Sequence, residues 1–314
     1  MDMLITSFAR SRLAVEIVEQ ILPHCDMPSL AVLYRDKYFR PVVCNELSAS
    51  IAHTLSSITP DPAQFQSMMR TTRSIISGST ALHHVLRWPT AWKPGDVDLL
   101  VPNHRFVEAV HFILAIQGAT IVNEHHEEYE GYATGFVHIV QVQTPLAKFD
   151  IVQSPDRSPF RPIAHYYGTH VMNAITSDLV ICAYPSMTFE GHSFVTPRRH
   201  QQILNPSTVR AIEKYTQRGF KFINRDPQPS HFGQACSTCI TCPIRNRAFG
   251  DQYCLITPNT HTPVQTVLQF MDEFSTTAWK LGGKPCGNPS CYIQGYHTVT
   301  TTTWGEVKRL SDAQ

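Results

Sequence analysis

No stretch of this chain approaches the roughly 20 consecutive apolar residues that a membrane-spanning helix requires. The opening, Met1 to Gln20, sets Arg10, Arg12, Glu16 and Glu19 among its apolar residues, so the apolar centre and small-residue cleavage site of a secretory signal are missing. Charge of one sign is scarce as well: 26 basic against 25 acidic side chains leave a formal charge of +1, and charged residues make up only 16%. That balance gives no overall electrostatic footprint for nucleic acid. No segment repeats at a fixed period. Together these absences predict an intracellular protein, cytoplasmic or nuclear, with no membrane role.

What is present is ordinary in bulk and uneven in detail. A content of 42% hydrophobic and 10% aromatic residues over 314 positions is enough for one large core or two modest ones. Nine cysteines in a chain without an export signal point to reduced thiols or metal ligands rather than a disulfide framework.

Four regions follow from the patterning. Residues 1–62 read as mainly helical, with Leu13, Ile17, Val18 and Ile21 at helical spacing, Pro23 and Pro28 breaking the run, and Ala31 to Val43 ambiguous between helix and a short hairpin. Residues 63–160 alternate. A helix over Ala63 to Thr72 leads to the apolar run at Ile75-Ile76. Next come a helix over Thr80 to Arg87, a strand over Val97 to Val101, and a helix over Arg105 to Gln117. Strands follow near Thr120 to Val122, over Phe136 to Val142 and over Lys148 to Gln153. Residues 161–224 read as helical over Ile163 to Asp178 and Pro206 to Arg218, and residues 225–314 as Cys-, Pro-, Gly- and Thr-rich around one helix over Val264 to Ala278. The fold class predicted is α+β: a small mixed sheet with flanking helices, a helical second half and a Cys-rich C-terminal region.

The chemistry concentrates in Ile75 to Val101. Because side chains on a strand alternate with period two, Asp96 and Asp98 point to one face, where two carboxylates repel unless a cation sits between them. Mg²⁺ (or Mn²⁺) suits such a pair, since a hard cation takes carboxylate, water and phosphate oxygens. Gly78 lets the backbone approach closely, the following helix N-terminus offers unpaired N–H groups to a phosphate, and Ser79 and Thr80 add hydroxyls. A third carboxylate, Asp150, lies between apolar neighbours in Lys148-Phe149-Asp150-Ile151-Val152, where an unpaired charge would be costly.

Ile76, Gly78, Ser79, Asp96, Asp98 and Asp150 in this order resemble the nucleotidyltransferase-fold superfamily, the DNA polymerase beta-like group that includes poly(A) polymerases and CCA-adding enzymes. More narrowly, Ser77-Gly78-Ser79-Thr80-Ala81-Leu82, Gly95-Asp96-Val97-Asp98-Leu99 and His170-Val171-Met172-Asn173-Ala174-Ile175-Thr176 are similar to a group of fungal nucleotidyltransferase-like proteins, over about residues 70–220. The resemblance implies a nucleotidyltransferase core at 63–160 and metal-dependent transfer of a nucleoside monophosphate from an NTP such as ATP to an acceptor, a small molecule, protein or RNA, with release of pyrophosphate. Asp96, Asp98 and Asp150 would hold the metal, with Asp150 as base or ligand. The alternative is a non-catalytic protein that kept the fold for nucleotide sensing or protein interaction. The sequence departs from the pattern in one respect: sixteen residues separate Ser79 from Asp96, with Trp88 to Pro94 as the apparent insertion.

Further candidates lie downstream. Asn173 and His170, one turn apart if helical, are where related enzymes contact nucleotide, although a satisfied place in the core is the ordinary fate of such residues. Arg198, Arg199, His200, Lys214 and Arg218 form the local basic concentration, for triphosphate, for an acceptor strand or for solvent. Cys236-x2-Cys239-x2-Cys242, followed by Cys254, has the spacing of a structural Zn²⁺ turn, with His231, Cys286 and Cys291 as substitutes, and reduced thiols as the competing reading. Cys25, Cys44 and Cys182 read as buried thiols.

Overall fold

The computed structural model describes residues 14–87, 90–126, 135–195, 206–223, 245–258, 277–281 and 300–303. Helices α1 (Val15–Ile21), α2 (Met27–Arg35), α3 (Arg40–Ser56) and α4 (Pro62–Thr72) open the described chain. Pro28, Pro41 and Pro62 lie in the first turns of their helices, where a missing N–H is no loss, so Pro28 starts a helix rather than breaking one. Asp26 and Asp61 cap two of these helices, accepting from the N–H of Ser29 at 2.8 Å and of Gln64 at 2.9 Å. The ambiguous Ala31 to Val43 stretch is the end of α2, a turn and the start of α3, with no strand. Leu30, Tyr34, Phe39, Val43 and Leu47 are all buried at helical intervals, and that period outweighs the β propensity of the valines between them.

Next come β1 (Ile75–Ser77), α5 (Gly78–Leu86), β2 (Val97–Val101), α6 (Phe106–Ile116), β3 (Thr120–His126), β4 (His138–Gln143) and β5 (Lys148–Gln153). Past them lie α7 (Arg161–Ala164), β6 (Asn173–Ile175), β7 (Leu179–Cys182), α8 (Pro185–Phe189), β8 (His192–Phe194), α9 (Pro206–Gln217), β9 (Lys221–Ile223), β10 (Arg247–Ala248), β11 (Leu255–Pro258), β12 (Thr277–Lys280) and β13 (Thr300–Thr303). One 8-stranded sheet runs in the order β11-β7-β6-β1-β2-β5-β4-β3, beside a 3-stranded sheet β10-β12-β13 and the pair β8-β9. Within the large sheet β2 and β5 are parallel and the other neighbours antiparallel, so the fold is mixed α+β.

Two expectations are corrected. The second half is not mainly helical: Ile163 to Asp178 holds the end of α7, a 3-10 turn at Thr169–Val171 and strand β6. The Thr176 hydroxyl accepts from the N–H groups of Asp178 and Leu179, closing the turn of a β6–β7 hairpin whose strands are buried on both faces. Of the helix predicted over Val264 to Ala278, residues 264–276 lie outside the described residues, and Thr277 and Ala278 belong to β12. Strands β6, β7 and β11 join the same sheet as β1 to β5, although they come from the segments 161–224 and 225–314.

The sheet separates two cores, as period-two alternation dictates. Ile76, Leu99, Val101, Val140, Val142, Phe149 and Ile151 pack with the buried residues of α1 to α4 and α6, among them Leu47, Phe65 and Ile113. Ile75, Leu100 and Val152 face the other way, onto Phe160, Ile163, Tyr184, Phe249 and Trp279.

Candidate active site

Register across the central strands builds the site. Ser77 of β1 lies opposite Asp98 of β2, Asp98 opposite Asp150 of β5, and Asp150 opposite Gln141 of β4, so a polar row crosses four strands on one face. Gln141 donates from Nε2 to Asp150 Oδ1 at 2.9 Å, and Lys148 Nζ lies 3.9 Å from the same oxygen. Asp96 sits just before β2, on the approach to the row. Its Oδ1 accepts from the Ser79 hydroxyl at 3.4 Å, and its main-chain carbonyl accepts from the Thr80 hydroxyl at 2.9 Å. Thr80 therefore ties the Asp96 loop to α5, a positioning contact rather than a free donor.

Gly78 opens α5 with φ +59°, a left-handed conformation suited to glycine. A Cβ built there would lie 1.9 Å from Asp98 Oδ2, so the absent side chain is the space that the Asp98 carboxylate occupies. Ser77 donates from its hydroxyl to the Asn173 carbonyl at 2.7 Å, which fastens β1 to β6 at the row's end.

The electrostatics match this crowding. The Asp98 carboxyl is pushed up to about 7, first by desolvation, then by Asp96 and Asp150, with Lys214 acting in the opposite direction. Asp150 is raised as well, by desolvation, with Asp96 adding to it and Lys148 and the Gln141 hydrogen bond opposing. Burial raises the phenols of Tyr166 and Tyr215, and Asp98 and Asp96 act in the same direction on both, opposed by Ser77 at Tyr166 and by Arg218 at Tyr215. Separated charge of one sign in a partly desolvated cleft is the condition that a divalent cation relieves. The aspartates form an open arrangement: among the described residues, the group of three ligand atoms that closes to within 4.8 Å of one another is Glu124, His126 and His138, elsewhere on the sheet.

Compared with known proteins, the chain matches no protein-family profile and no curated protein. One solved structure similar to it is a tRNA-processing enzyme in its apo form I, at 16% identity and a TM-score of 0.36, over 51% of this chain and 42% of that one. The chain thus matches less than half the length of that protein, and a likeness at this level assigns neither substrate nor reaction.

The remaining predicted residues fall in different places. His170 and Asn173 do not share a helix face; they flank the end of a 3-10 turn, and the Asn173 amide donates to the His170 carbonyl at 2.7 Å. His170 is fully buried, with Ser193 Oγ 2.7 Å from its Nδ1 and the rings of Tyr215 and Phe220 around it. Burial pushes its pKa down to about 3, with Arg218 adding to the shift, so it is a neutral core group. Cys254 is a free thiol, held up at about 12 by burial; it donates to the Ala248 carbonyl and lies 3.6 Å from Arg247 Nη2. Cys236, Cys239, Cys242, Cys286, Cys291 and His231 lie outside the described residues, as do Arg198, Arg199 and His200. Cys44 and Cys182 are buried free thiols and Cys25 a half-buried one.

The sequence marked the helix ending near Arg218 and the cations Lys214 and Arg218, but not the aromatic wall they complete. Arg218 stacks over Trp92 at 4.1 Å and over Tyr215 at 4.9 Å, while Trp92 meets His83 edge-on at 5.2 Å. Part of the long Ser79–Asp96 connection is therefore packed between α5 and α9. Gln141 and Tyr166 were missed too. The signal available for Gln141 was its odd polarity beside two valines on β4.

Proposed function

We propose that this protein is a nucleotidyltransferase of the DNA polymerase beta-like kind, transferring a nucleoside monophosphate from an NTP to a nucleophile on an acceptor while pyrophosphate leaves. The observation that carries the reading is the in-register pair Asp98–Asp150, with Asp96 at its edge and Gly78 against it. The donor set is all carboxylate oxygen, and its mutual repulsion fits a hard divalent cation, Mg²⁺ or Mn²⁺, held by Asp96 and Asp98 with Asp150 adjoining. Bound there, the cation would supply charge neutralisation at the phosphates and a lowered pKa for the attacking group.

The protein's own groups do the rest. The backbone at Gly78 and Ser79 meets the triphosphate at the start of α5, where no side chain caps the helix and the Asp98 carboxylate lies against Gly78, so that a cation held by Asp98 would sit beside the phosphates. Asp150, oriented by Gln141, takes the proton of the attacking hydroxyl at a carboxylate oxygen. Lys214, whose charge reaches Asp98, offsets negative charge on the leaving phosphates.

The test is incubation with each labelled NTP and Mg²⁺ or Mn²⁺, reading pyrophosphate release and label transfer to the protein, to RNA and to small molecules. Asp96→Ala and Asp98→Ala should each lower turnover at least about a hundredfold, since a ligand to a charge-stabilising ion is worth several kcal/mol. Equal turnover in wild type and both variants would overturn the assignment. Nucleotide binding without turnover in the wild type would favour a fold kept for sensing.

A further inference from the structure

The far edge of the large sheet carries a second cluster of ligand chemistry. β3 is the terminal strand, and its residues are solvent-exposed throughout. Glu124 and His126 alternate onto one face of it, and His126 lies directly opposite His138 of β4. The Glu124 carboxylate oxygen is 3.5 Å from Nε2 of His138 and 3.9 Å from Nε2 of His126. The two imidazole rings stack with centroids 3.6 Å apart and 22° between their planes, so the exposed His126 ring must turn out of the stack before its Nε2 lone pair can share an ion with that of His138. Phe106 of α6 backs the His138 ring at 5.1 Å and limits where it can turn.

This cluster is not part of the carboxylate row. His138 shares its strand face with Val140 and Val142, which belong to the helix-covered core, whereas Gln141 shares the face of Asp150. Odd spacing along β4 puts the two groups on opposite sides of the sheet.

We propose that Glu124, His126 and His138 form a site for a borderline divalent transition metal, Zn²⁺ fitting best, which ties the edge strand β3 to β4. In a tetrahedral zinc site, bonds of about 2.0–2.2 Å place ligand atoms roughly 3.3–3.6 Å apart. The two distances from Glu124 already lie within about half an ångström of that spacing. Nε2 of His138 is buried without a full hydrogen bond, since Glu124 stands at the long limit of one. Two imidazoles with one carboxylate select zinc-like ions over Mg²⁺, and three protein ligands leave the fourth position open to water.

Zinc titration of the full chain by calorimetry tests this, with Cu²⁺ substitution read by electron paramagnetic resonance. Because the cysteines can also take zinc, the diagnostic quantity is the difference between variants. His126→Ala is exposed enough to leave the fold intact, and it should lose one zinc equivalent or weaken that site more than about a hundredfold, beyond the usual cost of an outer-sphere change. Glu124→Gln should do the same, and zinc should raise the melting temperature of wild type more than of either. Asp98→Asn should keep the equivalent, and the copper spectrum should show two coupled nitrogens that His126→Ala reduces to one. Identical stoichiometry and affinity in wild type and His126→Ala, or loss of the equivalent in Asp98→Asn instead, would overturn the proposal.

Discussion

An alanine at position 78 would set its Cβ 1.9 Å from Asp98 Oδ2, on a backbone whose φ is +59°. The glycine and the aspartate are thus one fitted pair, and burial there, with Asp96 and Asp150 nearby, raises the proton affinity of Asp98. Its carboxyl titrates at about 7 in the folded protein against the usual 3.8, so the folded state keeps a proton that the unfolded chain has lost. Stability therefore falls as pH rises through that interval. Asp98→Asn removes the fall. Discounted for its partial solvent contact, the effect is on the order of 2 kcal/mol. The variant should match wild type in urea unfolding near pH 4, and exceed it by that amount near pH 8 without divalent ions. A difference of the same size at both pH values would contradict the account. Asp96, Asp98 and Asp150 were legible in the sequence because strand alternation and apolar flanks are local signals. Trp92, Tyr166 and Tyr215 were not, since aromatic residues carry no mark of the distant segment they will meet.

At the scale of elements, the long periodic segments read well: β2 and β5 fall at the residues predicted, and α5 and α6 within about two residues. The β6–β7 hairpin did not, because strands of three and four residues buried on both faces are too short to show the period that distinguishes strand from helix. A buried charge reinforces the attachment of the C-terminal strands, of which β11 is already paired with β7. Arg247 is fully buried, bonded through Nε to Asp251 at 2.6 Å and through Nη2 to the Ala183 carbonyl at 2.6 Å, with the Tyr184 ring 4.5 Å away. Asp251 also accepts from the N–H groups of Ala248 and Tyr253, so it fixes the turn between β10 and β11. Arg247→Ala leaves that carboxylate without its cation and should cost about 3–5 kcal/mol in denaturant unfolding. A loss below about 1 kcal/mol would mean that the pair contributes little and the strands are held by the β11–β7 pairing and by packing.

Across the whole molecule, one sheet carries two cores and two polar clusters on opposite faces. Helices cover the face that ends in the Glu124–His126–His138 edge, and the aspartate row lies on the other with α5 and α9 beside it. No helix among the described residues is long and apolar enough to cross a membrane. The joining of β11 to β7 was beyond sequence reading, because it pairs residues more than seventy positions apart with no local signature. The central claim is that the aspartate row takes a divalent ion together with a nucleotide. Its most direct test is Mn²⁺ paramagnetic resonance with a non-hydrolysable NTP analogue, in a His126→Ala background that removes the other candidate metal site. A protein-bound Mn²⁺ signal should strengthen with the analogue and disappear in Asp98→Asn. Mn²⁺ and analogue binding that is the same with and without the Asp98 carboxylate would contradict it.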